Sequence, residues 1–97
     1  MIDKTGRKIR LTKKQLKHIL KHPHIHESLE RIKYTIKNPT TIRYDEFKEN
    51  VNYFYREYKD MDPSERYLFV SVRYLNGEGF IITSFYTNKI TGSKWKI

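Results

Sequence analysis

Asn38-Pro39 splits the chain into two stretches of different periodicity, and no other feature constrains the fold as much. Proline lacks an amide donor and pushes the residue before it out of the helical region, so no helix runs through the pair. Upstream, Thr12 suits the N-cap of a helix reaching about His22, and Pro23 both stops that helix and fits the first turn of the next. Ile25, Leu29, Ile32 and Ile36 recur at helical spacing. Glu27 and Glu30 lie early in that helix and Lys33 and Lys37 late, an order that complements the helix dipole. Downstream, "TTIRYD", "VNYFYREYK", "YLFVSVRYL" and "FIITSFYT" are rich in β-branched and aromatic residues, with "MDPSER" and "NGEG" between the later runs. A short strand or arm is expected at residues 7–11, "RKIRL". The pattern predicts one α+β domain over residues 1–97, with two N-terminal helices packed on one face of a roughly four-stranded, mainly antiparallel sheet.

"NGEG" reads as the turn of a hairpin with two or four loop residues. Either even length is expected to set Val72 opposite Thr83 and Ser71 opposite Ser84. Leu68, Val70, Val72 and Tyr74 then share an apolar face with Ile81, Thr83 and Phe85. Phe69, Ser71, Arg73, Ile82, Ser84 and Tyr86 occupy the other. Such a polar-aromatic face is either an ordinary solvated surface or a platform for RNA bases.

The charge is placed unevenly. Of the net +9, residues 1–21 contribute eight Lys or Arg against Asp3 alone, a balance of +7, and the remainder twelve against ten, a balance of +2. A basic pole of this kind attracts polyanions, nucleic acid being the commonest, although it also serves solubility or anionic lipid. The segment lacks the Trp/Phe-rich face of a membrane-surface helix, no apolar run nears the ~20 residues of a bilayer span, and no signal-peptide core is present. A cytoplasmic protein without membrane contact is expected. The chain has no cysteine, which excludes disulfides and thiolate metal sites.

All four histidines, His18, His22, His24 and His26, fall in "KHILKHPHIHE". On the first helix, Leu16, Ile19 and Leu20 form an apolar arc, Lys13, Lys14, Lys17 and Lys21 a basic one, and Gln15, His18 and His22 a third, with the two histidines one turn apart. Three readings stand. Metal ligation is opposed by the surrounding lysines and by the lack of the HExxH pattern, so no metal and no cofactor are expected. Acid–base chemistry suits a histidine near a helix C-terminus, where the dipole and nearby lysines push oppositely on its charge. A polar surface is the third reading, and the one that suits His24 and His26.

"IRLTKKQLKHILKHP" followed by "NPTTIRYD", "YFYREYK", "YLFVSVRYL" and "GFIITSFYTNK" resembles the small nucleases of the barnase–EndoU–colicin–RelE superfamily, in particular the phage-associated and uncharacterised bacterial branches. The likeness spans nearly the whole chain. It implies metal-independent RNA cleavage by 2′-OH attack. By position it assigns His18 as general acid or base with His22 in support, Arg56 as the phosphate-binding residue of the second strand, and Thr83 as the final-strand hydroxyl. Phe85 stands where the family carries a tyrosine, which leaves Tyr86 as the phenol. Arg43 and Arg73 are further candidates for the phosphate, and Lys14 and Lys17 for steering the polyanion. RNA is the implied partner, with an acidic inhibitor or antitoxin as a possible second. A non-catalytic nucleic-acid-binding module and a basic adaptor for an acidic protein are the alternative readings.

Overall fold

The computed structural model describes residues 1–22 and 29–94. In chain order these form β1 (Ile9–Arg10), α1 (Lys13–Ile19), α2 (Leu29–Lys37), β2 (Thr41–Tyr44), β3 (Val51–Glu57), β4 (Tyr67–Leu75), β5 (Glu78–Thr87) and β6 (Ser93–Lys94), with a 3₁₀ turn at Pro63–Glu65. The α+β class is as expected, and the four long runs after Pro39 are β2 to β5. The sheet has six strands, not four, in the order β1-β5-β4-β3-β2-β6. β1 pairs with β5 in parallel and all other pairs are antiparallel. The added strands are two residues each, too short to leave an alternation in the sequence, although β1 falls within "RKIRL". Pro23, His24, Ile25, His26 and Glu27 lie outside the described residues. Among the described residues no helix is long and apolar enough to cross a membrane.

The core lies between the helices and one face of the sheet. Ile19 of α1 and Ile32 and Ile36 of α2 meet Phe54, Leu68, Val70, Val72 and Ile81. α2 lies over β3 and β4, whereas α1 lies along β5 near the edge. That position buries only part of the expected apolar arc: Ile19 is fully buried, but Leu20 is 41% exposed.

The β4–β5 hairpin corrects the expected register. Asn76 and Gly77 both have positive φ, and Leu75 pairs with Glu78, so the loop has two residues and Val72 faces Ile81. One pair further on, Ser71 faces Thr83, because Ile82 is an extra residue in β5. In a structure of period two, one inserted residue exchanges the faces of everything beyond it. Ser84 and Tyr86 therefore join Val70 and Leu68 on the helix-covered face, where Ser84 Oγ donates to the Phe69 carbonyl at 2.7 Å. Thr83 and Phe85 move to the open face beside Ser71 and Phe69.

Both chain ends cross to a sheet edge. At the N-terminus, the buried Asp3 carboxyl accepts from the amides of Thr5 (2.9 Å) and Arg7 (3.0 Å), the Thr5 hydroxyl (2.6 Å) and the Tyr74 phenol. This hook leads into β1, which sits against Gly79. A Cβ there would lie 2.4 Å from Ile9 Cδ1, so only glycine lets β1 approach. At the other end, residues 88–92 cross the open face on their way to β6. Thr91 donates its amide to the Tyr55 hydroxyl at 3.1 Å, and Gly92 lies against the Tyr53 ring.

Two of these phenols make the fold sensitive to alkali. Burial, then the hydrogen bond to Asp45, pushes Tyr53 up to about 12 from its ordinary 10.0. Burial and Asp3 likewise raise Tyr74. A raised phenol pKa favours the neutral form in the folded state, so this stabilisation is complete below pH 10 and is lost as pH climbs toward 12. The urea midpoint is expected to fall across that window. Tyr53→Phe is expected to make the fall shallower while leaving the part due to Tyr74, and a slope identical to wild type would refute the linkage.

Candidate active site

The open face is organised in cross-strand rows: Val51, Arg73 and Phe80; then Tyr53, Ser71 and Thr83; then Tyr55, Phe69 and Phe85. Arg43 of β2 lies opposite Tyr53. The aromatic rings are in contact along this face, with centroids 4.8 Å apart for Phe69–Phe85, 5.1 Å for Tyr55–Phe69 and 5.3 Å for Tyr53–Phe69.

α1 supplies the titratable groups at the edge. Thr12 caps it by accepting from the Gln15 amide at 3.2 Å. With Ile19 anchored in the core, His18 and His22, one turn apart, are turned toward the open face. Their rings stand edge to face at 5.8 Å, and His22 lies 5.4 Å from Phe85. α1 ends at Ile19, short of the expected His22, and His18 and Lys14 of α1 line one groove with His22 just past the helix end and with Thr83 and Phe85 of β5. Gln15 and Ile82 also line it, and both continue into a neighbouring cleft that contains Arg73.

The structure thus gathers His18, His22, Thr83 and Lys14, with Arg73 in the adjoining cleft. Lys17 is exposed on α1 and does not line the groove. Arg43 is on the open face but at its far side, against Gly92. Arg56 is not part of this assembly. It pairs with Leu68, placing it on the helix-covered face, where its guanidinium donates to the Asn38 carbonyl and lies 4.6 Å from the Tyr34 ring centroid. Tyr86 is also on that face, beside Arg31, whose main partner is Asp60 at 2.7 Å. That ion pair holds Asp60 below the usual carboxylate range. Two residues were not read from the sequence as site residues: Gln15, which shares the histidine sector of α1, and Phe85. Among the described residues, no three His, Asp or Glu side chains converge as a metal site would require; His24 and His26 lie outside them.

In this small α+β protein, paired imidazoles thus share a groove with a hydroxyl, a lysine and an aromatic ring, and an arginine lines the cleft beside it. Residues 1–96 match the family model described as phage-Barnase-EndoU-ColicinE5/D-RelE like nuclease2 (PBECR2), and the chain belongs to that family. The family places it among nucleases of the barnase–EndoU–colicin–RelE type. No curated protein and no solved structure matches the chain.

Proposed function

We propose that the protein is an endoribonuclease that cleaves RNA by internal transfer, using side chains in place of a metal ion. The observation that carries this reading is the groove shared by His18, His22, Lys14 and Thr83. One imidazole takes the proton from a ribose 2′-OH, and the 2′-oxygen attacks the adjacent phosphorus. The P–O5′ bond breaks, and the other imidazole protonates the departing 5′-oxygen, leaving a 2′,3′-cyclic phosphate and a 5′-hydroxyl. Lys14 and Arg73 offset the charge that builds on the phosphorane, and the Thr83 hydroxyl donates to a non-bridging oxygen. Phe85 offers a ring face to an unstacked base, and the buried Phe69 packs against it. Lys13 and Lys17, exposed on α1, and Lys21 just beyond it steer RNA toward the groove and form the surface an acidic inhibitor would cover if the protein acts as a toxin.

The test is incubation of the purified protein with mixed RNA in excess EDTA, with the ends of the fragments identified. Fragments carrying 2′,3′-cyclic phosphate are the expected result. Intact RNA, bound in a salt-sensitive manner by folded protein, would refute cleavage and favour a non-catalytic RNA-binding module. Binding restricted to an acidic protein would favour an adaptor.

A further inference from the structure

The groove extends past the histidines. Gln15 and Ile82 also form one wall of a cleft of about 730 Å³, faced by Val51, Arg73 and Phe80. Its volume is in the ~300–1,000 Å³ range of small-ligand sites. None of the steps above uses the cleft itself; they draw only on Arg73 at its edge. Val51, Arg73 and Phe80 form a single cross-strand row, so the guanidinium is flanked by an aliphatic and an aromatic side chain. The bulge adds Ile82, which remains 36% exposed in a strand whose neighbouring Ile81 is fully in the core.

We infer that this cleft is a base-binding subsite, holding the unstacked base of the nucleotide next to the scissile one. The inference takes its substrate, RNA, from the ribonuclease reading. Phe80 supplies the stacking face, and Ile82 and Val51 the apolar walls. Gln15 carries both donors and an acceptor, the set needed to meet the polar edge of a base. Arg73 at the rim suits the adjoining phosphate. Glu49 also lines the cleft, and as an acceptor it fits base N–H groups, whereas it would repel a phosphate. The rim is held in place, because Asp45 accepts from the amides of Phe47 (2.8 Å) and Lys48 (2.9 Å) immediately before Glu49. Phe80 and Thr83 lie one row apart, roughly 7 Å along the strand. That is about twice the 3.4 Å rise of a stacked strand, so a nucleotide bridging the two positions is unstacked from its neighbour.

The experiment is a fluorescence titration with single-stranded 2′-O-methyl pentanucleotides, each carrying 2-aminopurine at one position. The methyl group removes the attacking hydroxyl, so binding is read without turnover. Wild type is expected to quench the probe at the position next to the scissile bond, located with unmodified RNA. Phe80→Leu, which keeps an apolar side chain but has no ring, is expected to lose that quenching and bind about tenfold more weakly, the scale of one base–aromatic stack. Phe80→Tyr restores both. An abasic residue at the same position is expected to weaken wild type about as much and Phe80→Leu hardly at all. Equal abasic penalties in the two proteins, or Phe80→Leu binding as tightly as wild type, would overturn the subsite. Cleavage of RNA without any Phe80 dependence removes the subsite and keeps the ribonuclease. Phe80-dependent quenching by a protein that leaves RNA intact keeps the subsite and removes the ribonuclease.

Discussion

His18→Ala is expected to lower kcat/KM for RNA cleavage by about 10²–10⁴, the usual contribution of a positioned general acid or base. Arg56→Ala is expected to leave it within a few-fold of wild type. His18 is exposed on α1 and lines the groove with Thr83, so its loss removes a proton carrier while Ile19 still anchors the helix in the core. Arg56 points to the opposite side of the sheet, engaged with Asn38 and Tyr34. Removing it costs a hydrogen bond and a cation–π contact in a partly exposed setting, about 1 kcal/mol of stability. His22→Ala is expected to fall with His18→Ala, and the double variant to lose little more than the worse single one, because two groups serving one proton relay are not additive. Single-turnover rates in EDTA, read alongside urea midpoints, separate the two effects. If Arg56→Ala were as slow as His18→Ala at unchanged stability, the chemistry would not belong to the open face.

Much of this arrangement is legible in the sequence, and what is not has identifiable physical causes. The change of periodicity at Pro39 marks the helices off from the strands, and Thr12 caps α1 as its side chain suggests. The closeness of His18 and His22 is only partly a matter of helical spacing, because α1 ends at Ile19 and a turn, with the His22 amide donating to the Ile19 carbonyl, carries the chain on to His22. Thr83 is different, because its face depends on the bulge. "FIITSF" alternates acceptably in either parity, since Ile82 and Thr83 are both β-branched, and nothing local marks the extra residue. The face on which Arg56 stands, by contrast, is readable from strand periodicity. Arg56 is two residues from Phe54, and a strand that buries Phe54 must turn Arg56 to the same face. Position in a resembling family identified a residue type, while parity determined where the residue points. Residues 88–92 show the opposite limit: their path over Tyr55 and Tyr53 depends on long-range packing that no local pattern encodes.

Asp3→Ala is expected to be the most destabilising polar substitution in the protein, although Asp3 lies far from the groove. Asp3 is 2% exposed and is the shared acceptor for two amides and two hydroxyls. Alanine removes the shared acceptor from all four donors and leaves the buried Tyr74 hydroxyl without its partner, a change that costs about 3 kcal/mol. In a domain of this size that lowers Tm by roughly 12–24 °C. Asp3→Asn keeps an acceptor, and its amide can donate to Tyr74 once that hydroxyl reverses its role, so about 1 kcal/mol is expected. Tyr74→Phe should cost a similar amount, because three of the four donors to Asp3 remain. The effect reaches the site through the chain itself. The hook holds residues 1–8 so that the Ile9 amide donates to the Met1 carbonyl and the Gly79 amide to the Lys8 carbonyl, which seats β1 on β5. Two residues later Thr12 caps α1, and α1 carries His18. Hydrogen exchange in Asp3→Asn, which stays folded, is therefore expected to speed up first at residues 9–19 while β3 and β4 keep their protection. A uniform rise across the sheet would mean that Asp3 stabilises the domain as a whole and does not specifically hold the helix that bears His18.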